Sequence, residues 1–339
     1  MYFLNSDEYS QSSEFRVKPK VTLGSVDVPT YCVRFDYNDK YVAAAKGDGS
    51  IHIYNLFTGK LSYICNENME RPMPTTILRW RPLEAPGVTK NVMIATNAEG
   101  SLLHFHTTSS RLLHKIYDPE NQLLTADYKQ DGMKFLTAGE DTKIRVYDET
   151  TRQLTETLEG GGGGLPGHMN RIFCAKFVSE DPNLIVSGGW DQNVKIWDLR
   201  TSQCVRGIVG PNITGDTIDV HDGFILTGQY KQTNQLQLWY LGSGELAEDI
   251  PFDEKLPSAS PVQLYTTQFQ KNSYDLIIAG GAGANEVKVF DGDSFFEPCY
   301  RIYNLSRACF SSDFSNSGEM FAIGGGDGVV RVFDVTKER

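Results

Sequence analysis

The chain has 339 residues, 40% hydrophobic, 11% aromatic and 22% charged, with 32 glycines against 14 prolines. This composition excludes a disordered or fibrous protein and suits many short strands joined by tight turns. A net charge of −11, from 32 basic and 43 acidic side chains, disfavours direct binding to nucleic acid or to an anionic membrane surface.

In chain order, residues 1–14 read as a flexible polar tail. The start, MYFLNSDEYSQSSEF, has neither the basic nor the apolar region of a secretion signal, and no run approaches a membrane span, so the expected location is the cytoplasm or the nucleus. Arg16 to Leu23 (RVKPKVTL) alternates like a strand. Beyond it an aromatic residue recurs at the end of a β-branched run: Tyr54 (SIHIYNL), Phe105 (SLLHFHT), Tyr147 (KIRVYDE), Trp197 (VKIWDLR), Trp239 (LQLWYLG), Phe290 (VKVFDGD) and Phe333 (VRVFDVT). The spacings are 51, 42, 50, 42, 51 and 43 residues. Six residues before each aromatic stand Asp48, Glu99, Asp141, Asp191, Thr233, Ala284 and Asp327, so a turn acid persists in five of seven places. The implied units cover about 31–65, 74–116, 122–158, 167–209, 212–252, 260–303 and 306–339. A lone four-stranded unit cannot cover its own apolar faces, so units of this period stack side by side.

Two insertions punctuate the repeats. RPLEAPGVTK at 81–90 is expected to be a surface loop. Gly160–Gly164 is expected to be a flexible spacer, since no Lys-Ser, Lys-Thr or helix follows to make it a phosphate cradle. The six cysteines, Cys32, Cys65, Cys174, Cys204, Cys299 and Cys309, lack CxxC spacing and read as buried small residues rather than ligands.

The most complete unit, Gly167 to Arg200 (GHMNRIFCAKFVSEDPNLIVSGGWDQNVKIWDLR), resembles a WD40 repeat, one blade of a β-propeller. The resemblance implies an all-β fold, a seven-bladed WD40 β-propeller with residues 15–339 as a single domain. It also implies a buried structural tetrad of His168, Ser187, Asp191 and Trp197, in which each costly polar group finds a partner. The sequence stops six residues after Phe333, where blade 4 would begin its fourth strand. The segment at about 16–23 is therefore expected to supply the outer strand of the last blade and close the ring.

No HExxH, GxSxG or kinase signature is present, and no cofactor, metal or catalytic residue is expected. His104 and His106 flank Phe105 and are read as polar residues on the outside of a strand. His221, Asp216 and Asp219 are the titratable groups that could meet near a channel. In the WD40 family the position that opens each first strand lies near the channel mouth. Here it is occupied by Tyr31, Thr76, Leu124, Phe173, Asp216, Tyr265 and Phe310, four of them aromatic. Trp190, just before a turn acid, falls on the same face. The expected partner-binding residues are Trp190, Phe173, Arg171, Tyr31, Tyr265 and Phe310, of the kind found in interface hot spots.

The function expected is a non-enzymatic scaffold: a monomeric propeller that docks a peptide or protein loop on its top face within a multiprotein complex. Two alternatives accompany it. Trp197-Asp198-Leu199-Arg200 resembles the WDxR box of cullin-RING ubiquitin-ligase substrate receptors, which would make Asp198 and Arg200 adaptor-docking residues. The third reading is a propeller-type hydrolase with a channel metal.

Overall fold

The computed structural model describes residues 14–67, 72–85, 89–161, 163–252, 261–293 and 296–338. Within them lie seven four-stranded antiparallel sheets arranged as the blades of a β-propeller. Blade 4 shows the pattern: Ile172–Phe177, Leu184–Gly189, Asn193–Asp198 and Gln203–Val209, paired in that order. Its inner strands are buried on both faces because a neighbouring blade packs against each, which is why they read as nearly continuous apolar runs. The fourth strand alternates towards solvent. No helix among the described residues is long and apolar enough to cross a membrane.

Closure uses the two ends of the described chain. Strand β1 (Phe15–Leu23) runs antiparallel to the third strand of blade 7 (Val330–Lys337), from Phe15 opposite Lys337 to Leu23 opposite Val330. The register shifts between Pro19 and Val21, where proline has no N–H to give, and an outer strand tolerates this. Blades 7 and 1 are also stapled at their lower turns: Asp39 accepts hydrogen bonds from the Asn316 and Ser317 backbone N–H groups at 2.7 and 2.9 Å. The 1–14 tail lies outside the described residues except for Glu14.

In blade 4 the Trp197 indole donates to Ser187 Oγ at 2.8 Å, Ser187 lies 2.7 Å from His168 Nε2, and His168 Nδ1 lies 2.9 Å from Asp191. Since a carboxylate only accepts, Asp191 fixes the proton on Nδ1 and leaves Nε2 to accept from serine. Blades without that histidine neutralise the turn acid differently. Arg145 reaches Asp141 at 2.6 Å in blade 3, and Arg331 reaches Asp327 at 2.6 Å in blade 7. Blade 6 corrects the count from sequence: its buried acid is Glu286, paired with Arg301, and not the position of Ala284. In blade 5 an amide takes over, Gln229 donating to Gln237 at 2.5 Å.

His104 is also corrected. It is buried at 1% exposure rather than facing out, with Nε2 3.3 Å from buried Glu149, which accepts from Tyr128 and Arg81 as well. The 81–90 insertion tucks Ala85 under Gly132, while 86–88 lie outside the described residues. Around the glycine run the chain is hydrogen-bonded rather than free. Gly161 N–H donates to Leu165 and Leu165 N–H to Cys204, so the loop extends the outer edge of blade 4; Gly162 lies outside the described residues.

Candidate functional site: the channel and its upper mouth

The first strands of six blades carry the same irregularity. Tyr31, Thr76, Leu124, Phe173, Tyr265 and Phe310 are each skipped by the pairing between first and second strands, the register shifting across them. Such a bulge leaves one residue without a partner and re-aims its side chain. All six, with Asp216 from blade 5, turn towards the axis and line one cavity of about 390 Å³ at the upper mouth. Its walls are ring against ring. Tyr31 stacks on Phe310 at 5.6 Å, Phe310 meets Tyr265 edge-on at 5.4 Å, and Tyr265 packs on Tyr230 at 5.3 Å. Burial and the neighbouring Tyr230 push the Tyr265 phenol up to about 12, so that ring stays neutral.

Across the mouth, Phe173 packs against Trp190 at 5.1 Å. Trp190 is 44% exposed on its turn, its other side covered by the Arg171 guanidinium 5.0 Å from the ring. Arg171 is held in turn by Glu140 at 2.7 Å. The structure thus brings Phe173, Trp190 and Arg171 together on blade 4, and Tyr31, Phe310 and Tyr265 together over blades 1, 7 and 6.

Asp216 does not stand at the mouth as its opening position suggested. It forms the floor, its carboxylate accepting from Arg34 of blade 1, from Arg79 of blade 2 at 3.0 and 3.2 Å, and from the Cys174 thiol at 3.2 Å. Lys176 lies 3.8 Å away. Burial alone would raise its pKa, but the charges of Arg79, Lys176 and Arg34 prevail and hold it well below the usual carboxylate range. The same burial, with Asp216 alongside, raises the Cys174 thiol. A carboxylate whose acceptor sites are consumed by guanidinium and thiol groups offers nothing to a metal ion. The described residues include no group of three or more ligating side chains suited to one. His221 does not join it: the ring stacks on Tyr274 and its Nδ1 lies 3.3 Å from Glu180. Arg200 lies beyond the opposite end of the third strand from Trp190, mostly exposed, with Nε and Nη2 on Asp198 at 2.9 and 2.7 Å.

Comparison with known proteins agrees with the architecture. The family described as WD domain, G-beta repeat matches residues 18–55, 162–198 and 299–334. The chain is a seven-bladed β-propeller with WD40 repeats matched at three places. It is similar to the spindle assembly checkpoint protein bub3 of Schizosaccharomyces pombe, 24% identical over 262 residues, which is 73% of this chain and 74% of the relative. It is similar too to Autophagy-related protein 16 of Arabidopsis thaliana, 22% identical over 240 residues, 68% of this chain but 43% of that protein. A guanine nucleotide-binding protein subunit beta-1 from Homarus americanus is 25% identical over 128 residues, 38% of this chain and 36% of the relative. The chain therefore spans well under two thirds of the length of the last two relatives.

One layer of this WD40 propeller escaped the sequence reading. Three residues after each opening position stand Arg34, Arg79, Asp127, Lys176, Asp219, Gln268 and Asp313, a polar ring inside the channel. Its acceptors tie blade to blade: the Phe35 N–H donates to Asp313 at 2.8 Å, Phe177 to Asp127 at 3.0 Å, Phe269 to Asp219 at 2.9 Å and Phe314 to Gln268 at 2.8 Å. Its cations answer them, Arg79 on Asp127 at 3.1 Å and Lys176 on Asp219 at 3.2 Å. The signal was in the sequence, since every first strand carries one charged or amide residue at that offset. With Asp216 the ring forms a septum between the upper cavity and a second one of about 300 Å³ at the lower mouth.

Proposed function

We propose that this WD40 propeller is a non-enzymatic interaction scaffold that docks a peptide or protein loop on its upper face, as a subunit or adaptor of a multiprotein complex. The observation that carries the reading is the shared bulge: six first strands spend a residue of regular pairing to gather one aromatic-walled cavity beside the exposed Trp190. A preformed concave site of this kind binds without paying to order itself. The channel septum supports a binding role over a chemical one, because its titratable groups neutralise each other and hold the blades together. The similarity to bub3, named for the spindle assembly checkpoint, and to a G-protein subunit supports work inside complexes. Affinity capture should be run with the wild type, Trp190→Ala and Tyr265→Ala, all shown to be folded. Partners that persist with both variants would refute docking at the upper mouth.

A second reading rests on the mostly exposed Arg200 at the lower end of blade 4, beside Asp198 as the WDxR resemblance requires. A ligase adaptor would have to draw Arg200 off Asp198. Arg200→Glu should then keep the melting temperature and lose co-precipitation with a cullin-ligase adaptor. Wild-type protein that recovers no cullin-ligase component ends this reading.

A further inference from the structure

The chemistry of the docked segment can be taken further, on the reading that the upper mouth is the docking site. Inside the cavity the walls are mostly apolar, built by Tyr31, Ile77, Leu124, Phe173, Tyr265 and Phe310, with the hydroxyl of Thr76 engaged by Thr96 and Leu123, and with Thr214 beside them. At its floor Asp216 is the one carboxylate among the described residues that line it, and its oxygens already accept from Arg34, Arg79 and Cys174, with Lys176 close by. An incoming ammonium or guanidinium would find no free acceptor there and three cations behind it. The interior therefore suits an uncharged, apolar side chain.

The rim carries a different signal. Two cations, Arg171 and Arg307, stand one aromatic ring or less from the cavity wall, and a third, Lys231, lies farther out on the same face. Arg171 covers Trp190, which packs on Phe173. Lys231 follows Tyr230, which packs on Tyr265, and its ammonium meets a backbone carbonyl, that of Gly210, at 2.5 Å. Arg307 is exposed, its Cβ and the Phe310 ring flanking the same glycine, Gly326, and it makes no ion pair among the described residues. Glu140 lies on Arg171 and Asp27 on Lys46, both partly exposed, while three other acids on this face are held inwards. Asp191 is held by His168, Asp327 by Arg331 and Ser306, and Glu286 by Arg301. On a protein of net charge −11, the described residues of the rim from blade 4 to blade 7 thus set Arg307 and Lys231, neither in an ion pair among the described residues, and Arg171, shared with Glu140, around an apolar well.

We infer that the partner is an acidic peptide segment with one large apolar anchor. The anchor fills the cavity, and flanking carboxylates reach Arg307, Lys231 and Arg171. Charges at a rim govern the rate and selectivity of association while the buried anchor supplies affinity. The Arg171–Glu140 pair gives the site selectivity, since a partner carboxylate must compete with Glu140 for the guanidinium.

The test is a selection of random dodecapeptides by mRNA display against the full chain, followed by fluorescence-polarisation titration of enriched sequences. Tyr265→Ala, Trp190→Ala and Arg307→Glu are titrated in parallel after thermal melts show them folded. The expected winners carry a net negative charge around a single Leu, Ile, Phe, Met or Trp. They should weaken about tenfold or more with Arg307→Glu or with Trp190→Ala, and weaken further as salt rises. Winners that are neutral or basic, yet still lose affinity with Tyr265→Ala and Trp190→Ala, would overturn the acidic-peptide inference and leave the mouth as a docking site. An empty selection, or winners indifferent to all three variants, would overturn both.

Discussion

Asp216 of blade 5 and Arg79 of blade 2 meet across the channel, guanidinium to carboxylate at 3.0 and 3.2 Å, although 137 residues separate them in sequence. Arg34 joins from blade 1 and Lys176 from blade 4, so one buried acid ties together four blades. Asp216→Asn would leave these cations short of their counter-charge in a site where the side chains of Asp216, Arg34 and Arg79 are only 9%, 8% and 10% exposed. Removing one member of a buried ion network costs about 3 to 5 kcal/mol. Urea unfolding of the variant should show a loss in that range. A change under about 1 kcal/mol would mean that water reaches the septum and screens it.

The two tryptophans of blade 4 separate stability from binding. Trp197 is fully buried and donates to Ser187, so Trp197→Ala should cost about 3 to 5 kcal/mol in lost burial and cavity. Trp190 is 44% exposed and keeps only its contacts with Phe173 and Arg171, so Trp190→Ala should cost about 1 kcal/mol or less. Equal destabilisation by both would make Trp190 a packing residue and remove it from the docking face.

The difference in legibility between these residues follows from which interactions are local. Trp197, His168, Ser187 and Asp191 lie within one unit, and a unit's spacing is written in the sequence; so is the third-strand aromatic that phases all seven blades. The closing strand was legible because Arg16–Leu23 alternated and blade 7 needed a fourth strand. What escaped depends on contacts between units. His104 faces inwards because Glu149, from the neighbouring blade, waits for it there. Asp216 dips into the channel because partners on three other blades draw it down. The blade 6 acid is the exception, a contact inside one unit: Glu286 escaped because its partner, Arg301, comes from the fourth strand, outside the counted stretch.

Closure should be as sensitive as the septum. Removing residues 1–24 takes away β1 and with it the buried Phe15, Val17 and Leu23, leaving the Val330–Lys337 edge unpaired. An open edge of that length is a template for pairing with other chains. Size-exclusion chromatography should show aggregation or poor solubility. A truncated chain that runs as a monomer with an unchanged melting temperature would show that the β1 pairing contributes nothing to stability.

Acid should loosen blade 4 near neutral pH. Burial lowers the pKa of His168 from its ordinary 6.5, only partly offset by its bond to Asp191. The unfolded chain therefore takes up a proton at pH values where the folded chain does not. The stability this provides is fully present above pH 6.5 and is lost as pH falls from there through the lower folded value. Asp191 adds a second, more acidic step: against the penalty of burial, its bonds to His168 hold it below 3.8, so its contribution is present above that value and lost beneath it. His52 and His114 are also lowered, chiefly by burial, so the whole protein's slope mixes several sites. A difference measurement isolates the tetrad. Urea midpoints at pH 7.5 and 5.5 should fall more steeply for the wild type than for His168→Gln, in which glutamine replaces the only titrating nitrogen pair of the relay. Parallel slopes would show that His168 is protonated with equal ease in both states, and that the relay holds through Ser187 and Trp197 alone.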